Sequence, residues 1–211
     1  MESIYRAFVS NTSRFRTRSE HILTSSYTHS FEGAYLASQL ISEIWLSWCR
    51  FCRSLIIASC NGSISRKGVV IQARSMNNNP GRVAYEFKQY KSGASPKPNG
   101  VITQAYNEPT WGDVSALLTV LPGLNPSNLA SLSSGFGLSL QGPQHLQITR
   151  NTIAHLNADG IRSFNQILIF YSGLPTRHPS DLIRWKDPVK NTQVIFSWID
   201  DLETIASTVT N

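Results

Sequence analysis

The sequence predicts an all-α protein: a helical bundle with a loop-rich, partly extended insertion. Three observations predict it. Over residues 31–59, Leu36, Leu40, Ile41, Ile44, Trp45, Trp48, Phe51, Leu55 and Ile56 recur at three- and four-residue spacing, the period of one buried helix face. From residue 111 onward the same spacing returns in shorter segments separated by Pro, Gly and Asn. Between them, residues 61–110 lose the period and gather turn-forming residues.

Taken in order, residues 1–20 read as a basic N-terminal arm. Arg6, Arg14, Arg16 and Arg18 face few acids there, and Ser and Thr are frequent. A transit peptide has that composition, and a weakly structured arm fits it equally well. Residues 21–211 read as a single helical domain. Ser30 is placed to N-cap the 31–59 helix, and Asn61-Gly62 to stop it. The insertion at about 61–110 opens with a short extended segment at Val69-Val70-Ile71. It contains the turn signals Asn77-Asn78-Asn79-Pro80-Gly81 and Ser92–Gly100. Within it, 82–91 is ambiguous. Val83, Phe87 and Tyr90 suit a helix; Val83, Tyr85 and Phe87 suit a strand.

Beyond the insertion, Val114, Leu117, Leu118 and Leu121 predict a helix over 112–121, closed by Pro122-Gly123. Asn125-Pro126-Ser127 predicts the start of another, and Gly142-Pro143 of a third, with Pro in its tolerated first-turn position. Asp159-Gly160 reads as a break after that third helix. Residues 161–171, with Ile161, Phe164, Ile167, Leu168 and Phe170, read as a further buried segment. Asp187-Pro188 reads as the N-cap and first residue of a last helix, whose core face is Val194, Ile195, Trp198, Leu202 and Ile205.

Composition narrows the function classes. Hydrophobic residues make up 41% of the chain, too many for a disordered one. No apolar run is long enough to cross a membrane. The net charge is +6, and residues 1–100 hold 13 Lys and Arg against 5 Asp and Glu. A basic half points to a polyanionic partner, RNA or DNA before lipid, with a solvated basic surface as the plain alternative. Three cysteines suit a reducing, cytoplasmic setting rather than a disulfide framework. Cys49 and Cys52 form a CxxC with no second pair to complete a zinc site, so they read as packing residues. The pattern calls for no metal and no cofactor.

Chemistry concentrates in Arg150-Asn151-Thr152-Ile153-Ala154-His155. On a helix, Asn151 and His155 would share a face, with Arg150 one step around it and Ala154 leaving room for a phosphate. Arg brings a permanent charge with fork geometry for phosphate oxygens, and His exchanges protons near neutral pH. The spacing alone is weak, since Arg16 and His21 repeat it in a segment with no apolar face. Supporting roles fall to Glu43 and Arg50, and RNA contacts to Arg53, Lys88 and Lys91. Tyr85, Tyr90 and Tyr106, interleaved with lysines, offer faces for bases or for packing. Trp45, Trp48 and Trp198 read as core. His145 reads as incidental, and His178 beside Arg177 as a weak phosphate candidate.

Arg-Asn-x-x-Ala-His resembles the signature of the HEPN superfamily (higher eukaryotes and prokaryotes nucleotide-binding), which is carried late in a small helical bundle. The long early helix with Glu43 is similar to members bearing an acid there. The resemblance implies a metal-independent endoribonuclease of the toxin or phage-defence (abortive infection) kind. His155 would move protons, Arg150 would hold the scissile phosphate and Asn151 would orient one of them. The products would be 2′,3′-cyclic phosphate and 5′-hydroxyl ends. It also implies a homodimer and a cognate antitoxin or sensor as partner. The alternative is a non-catalytic HEPN-like module that binds nucleic acid, nucleotide or a partner protein.

Overall fold

In the computed structural model, residues 1–25, 30–74, 78–172 and 176–211 are described. Asn77, named above as part of a turn signal, lies outside them. The fold is all-α: eight α-helices and a two-stranded antiparallel hairpin among the described residues. The helices are α1 (Glu2–Thr24), α2 (Phe31–Asn61), α3 (Pro80–Lys91), α4 (Val114–Leu124), α5 (Leu129–Phe136), α6 (Gly142–Ala154), α7 (Ala158–Leu168) and α8 (Val194–Thr210). The strands are β1 (Ser63–Ile64) and β2 (Val70–Ile71). No helix among the described residues is long and apolar enough to cross a membrane. The chain forms two compact units. One comprises Met1–Ala7, Cys49–Ser139 and Thr204–Asn211, the other Phe8–Trp48 and Leu140–Glu203.

The unit containing the insertion is built on the end of α2, on α3–α5 and on the end of α8. Its core is Leu55, Ile56, Val83, Phe87, Leu117, Leu121, Leu132 and Phe136. Gly62 ends α2 at a φ of +85°, and a Cβ there would sit 2.9 Å from the Ala73 backbone nitrogen. Only glycine meets both demands cheaply. The Val69–Ile71 expectation holds as β2, which pairs with β1 in the register Ser63↔Ile71 and Ile64↔Val70. The insertion is more ordered than its composition implies. Residues 80–91 resolve to helix α3, opened by the Asn79 side chain, which accepts from Gly81 N–H. Its core face includes Arg82 and Glu86, charges that obscured the helical period. Glu86 is 1% exposed and bridges two guanidiniums: Arg74 Nη1 at 2.9 Å and Arg82 Nε at 2.7 Å. Arg82 Nη1 reaches on to the carbonyls of Lys97 and Gly100, holding the loop against the helix. A buried ion pair is secure only when its spare donors are met in this way.

Helix α4 continues through Pro122 to Leu124, where Asn125 takes the left-handed conformation at φ +46°. Asn is among the few residues that tolerate that conformation.

The other unit draws on α1 from Phe8, on α2 to Trp48, on α6 and α7, and on α8 to Glu203. Residues 2–24 are a helix and not an arm. The buried positions Phe8, Thr12, Phe15, Ser19 and Ile22 follow a four-three-four-three spacing. Thr12 hydrogen-bonds Glu203, and the Ser19 hydroxyl donates to the Phe15 carbonyl, so both polar groups are satisfied within the core face. Arg16 Nη2 pairs with Asp200 at 2.7 Å and Glu203 at 2.8 Å. Ser30 caps α2 as expected, its hydroxyl accepting from Gly33 N–H at 3.1 Å. Trp45, Trp48 and Trp198 are core residues, 3%, 0% and 2% exposed.

The last helix begins at Val194, not at Asp187. The Asp187 carboxylate accepts from Val189 and Lys190 N–H, closing a turn sealed by the Lys186–Gln193 bridge. Asp caps such a turn as readily as a helix. The core face expected for this helix is buried throughout.

Candidate functional site

Helix α6 carries the Arg150–His155 run. Its start is fixed against α8: Pro143 occupies the first turn, and Gly142 N–H donates to Asp201 Oδ2 at 2.8 Å. Burial of Asp201 raises its pKa, and the Gly142 bond opposes that shift. The inward face of α6 is Gly142, His145, Leu146, Thr149 and Thr152, at the helical period. Thr152 Oγ1 donates to the Gly160 carbonyl at 3.0 Å, tying the end of α6 to the first turn of α7. Arg150 and Asn151 are half-buried in the last turn. Arg150 Nη1 donates to Asn151 Oδ1 at 3.1 Å, and Arg150 Nε is buried without a hydrogen-bond partner.

The helix ends one residue earlier than the motif requires. His155 is the residue after α6, at φ −137° and ψ 80°, and it is exposed. Its N–H still bonds the Asn151 carbonyl at 2.9 Å, but its own backbone has left the helical conformation. The cause lies just downstream. Asn157 N-caps α7, its side chain accepting from Gly160 N–H at 2.7 Å, and a cap residue takes extended backbone. The break therefore falls at 155–157, and Asp159-Gly160 lies inside α7.

Among the described residues Arg150 shares the lack of an ion pair with the exposed Arg14 and Arg177, and it differs from them in being half-buried. Arg16, Arg18 and Arg184 of the same unit are paired with carboxylates: Asp200 and Glu203, Glu43, and Asp181. Arg150 has no ion pair among the described residues. The decoy run beginning at Arg16 thus has its guanidinium paired with two carboxylates.

The supporting candidates fare unevenly. Glu43 is bound by Arg18 and by Gln39 Nε2 at 3.1 Å. Arg50 is exposed. Arg53 forms a bidentate pair with Glu108, at 2.6 and 2.8 Å, and Trp111 Nε1 donates to the same carboxylate at 2.8 Å. That guanidinium is paired with a carboxylate and partly exposed. The paired Arg53 holds the Glu108 carboxyl below its ordinary pKa. Lys88 is exposed, and Lys91 lies 3.3 Å from Asp113. Tyr85 packs over Gly100 and Tyr90 over Gly123, while Tyr106 is exposed. Part of the basic excess of residues 1–100 is met by acids further along the chain, through Arg16, Arg53 and Lys91. His178 is a capping residue: its Nδ1 accepts from Ser180 N–H, and Asp181 accepts from its backbone N–H in return. Cys52 and Cys60 are buried thiols, and burial pushes Cys52 well above the ordinary thiol range. No cluster of three or more His, Cys, Asp or Glu fit to hold a metal ion occurs among the described residues.

Sequence reasoning passed over His145. It is 3% exposed and shares a hydrogen bond through Nδ1 with Tyr171 Oη, which also accepts from Trp198 Nε1 at 3.1 Å. Burial lowers the imidazole pKa to about 4 and raises the phenol to about 12. The signal was available, since His145 stands four before Thr149 on the inward period of α6.

Two features beside the motif bear on ligand binding. A cleft of about 460 Å³ lies along α2, lined by Phe31, Tyr35, Ser38, Gln39 and His178, with Ile153 of α6. Phe31 and Tyr35 are 89% and 63% exposed. Beyond the motif, residues 156–170 expose Leu156, Ile161, Ile169 and Phe170.

Comparison with known proteins returned no matching family model, no matching curated protein and no matching solved structure.

Proposed function

We propose that the chain is a metal-independent endoribonuclease of the HEPN kind, acting as a toxin or phage-defence effector. The observation that carries the reading is the free charge of Arg150. A half-buried guanidinium with no carboxylate partner among the described residues, one residue from an amide and five from an exposed imidazole, is suited to a phosphodiester. The aromatic cleft beside Ile153 adds exposed ring faces on which bases stack.

In this reading the 2′-oxygen attacks phosphorus, the bond to the 5′-oxygen breaks, and the ends are a 2′,3′-cyclic phosphate and a 5′-hydroxyl. Arg150 stabilises the charge gathering on the phosphoryl oxygens. His155 takes the 2′-hydroxyl proton or supplies one to the leaving oxygen. A single imidazole does not fill both roles in one step, so a second copy of the chain supplies the other. The exposed Leu156, Ile161, Ile169 and Phe170 give such a homodimer apolar surface to bury.

One observation favours the non-catalytic reading, a module that binds nucleic acid or a cognate protein. His155 stands outside the helix that orients Arg150, so the chain fixes a phosphate anchor more firmly than it fixes a base. One experiment separates the two. Purified protein is incubated with total RNA in EDTA beside His155→Ala and Arg150→Ala. The nuclease reading requires cleavage by the wild type and a loss of at least 100-fold in both variants. Intact RNA in all three samples, with binding weakened only by Arg150→Ala, establishes the binding module instead.

A further inference from the structure

We propose that the unit containing the insertion holds a second anion site, one that takes the phosphate group of a small ligand. It lies in an open cleft of about 580 Å³ lined by Gln72, Arg74, Asn125, Ser127, Leu129 and Ala130. It is separate in sequence from the α6 run, and it does not rest on the ribonuclease reading.

The first argument is charge. The buried cluster beneath this cleft contains two guanidiniums, Arg74 and Arg82, and one carboxylate, Glu86. All three side chains are almost wholly withdrawn from solvent, with Arg74 4% exposed. One positive charge is left over, and a buried charge without a counterion is costly. Arg82 Nη1 donates to the Lys97 and Gly100 carbonyls. Arg74 spends Nε on Asn78 at 2.9 Å and Nη1 on Glu86 and the Leu124 carbonyl. Arg74 Nη2 is buried with no hydrogen-bond partner. Among the described residues lining the cleft, Arg74 is the charged one.

The second argument is the N-terminus of α5, whose first-turn residues Leu129 and Ala130 line the same cleft. It lacks both of the usual ways to neutralise its positive end. The first turn contains no acid, and Asn128 at the cap position gives no side-chain bond to the helix. Its Nδ2 goes to Ser59 Oγ at 3.2 Å, and its Oδ1 is buried without a partner. A helix N-terminus beside a cluster that carries one surplus positive charge favours an anion. The Gln72 amide adds a neutral donor at the rim, while the Ser127 hydroxyl donates to the Gln72 carbonyl at 3.2 Å. A phosphate is the anion with enough acceptor oxygens to use donors converging from several sides.

The test uses the full-length chain with Arg150→Met, which removes the α6 guanidinium from the measurement. Calorimetric titration at constant ionic strength compares inorganic phosphate and adenosine monophosphate with chloride. Two further variants place a carboxylate at the cleft without touching the buried cluster: Ser127→Asp and Ala130→Asp. Both positions are exposed, and an acid in the first turn suits the helix. Circular dichroism checks the fold of each. The proposal requires saturable phosphate binding that weakens at least tenfold in both variants. Tighter binding of the nucleotide than of phosphate would show that the cleft also holds the rest of the molecule. Heats no different from chloride, or equal phosphate affinity with and without the new carboxylates, would overturn it.

Discussion

Arg150 donates to the amide oxygen of its neighbour Asn151 at 3.1 Å while its own Nε stays buried and unpartnered. A guanidinium in that state is poorly compensated. It costs stability in the free protein and gains partners only when an anion arrives. Arg150→Met keeps the length of the stem and removes the unmet donor. The substitution is expected to leave stability unchanged or raise it by about 1 kcal/mol while removing RNA binding or cleavage. Urea denaturation beside an RNA-binding assay checks both halves. A loss of several kcal/mol would mean that the guanidinium is structural.

The His145–Tyr171–Trp198 network makes stability depend on acid. The folded imidazole stays neutral down to about pH 4, whereas an unfolded one takes a proton near its ordinary 6.5. The stabilisation is complete above pH 6.5 and is lost as pH falls toward 4. A depression of this size corresponds to about 3 kcal/mol. His145→Gln removes the titration. Its stability between pH 7 and pH 4 should therefore fall less than the wild type's, measured by urea midpoints at each pH. Parallel profiles would show that His145 does not titrate as described.

Glu86 holds two guanidiniums with one carboxylate. Glu86→Gln leaves both cations buried without it, and a loss of about 3–5 kcal/mol follows. The loop carbonyls of Lys97 and Gly100 are held by Arg82, so amides around residues 97–102 should exchange faster with deuterium in this variant. Hydrogen exchange distinguishes that local release from general unfolding.

Arg53 is expected to matter for stability and not for RNA. Arg53→Ala frees Glu108 from its bidentate partner, at a cost of about 1 kcal/mol for a partly exposed pair. RNA affinity at fixed salt should stay within twofold of wild type. A tenfold loss of affinity would return Arg53 to the binding surface.

The sequence made the apolar helices plain and hid those whose inward faces are polar. Helix α2 and the core face of α8 were legible because large apolar residues repeat without interruption. Helix α1 was not, because two of its five inward positions are Thr12 and Ser19, whose hydroxyls find partners that no local pattern reveals. Helix α3 was obscured in the same way by Arg82 and Glu86. Errors in the boundaries came from residues with two uses. Asp187 closes a turn where it could have capped a helix, and Pro122 sits in the last turn of α4 where it could have ended it. For the site, Arg150 and Asn151 could be placed on one helix from the run itself. The position of His155 could not, because it depends on Asn157 claiming the next cap.

That early exit from α6 gives the two halves of the motif different masters. The guanidinium follows the rod that Gly142 and Thr152 lock in place, and the imidazole follows the three-residue hinge before α7. Lengthening that hinge by one residue would swing the proton carrier and leave the charge anchor still, so the reach between them is adjustable without rebuilding either helix.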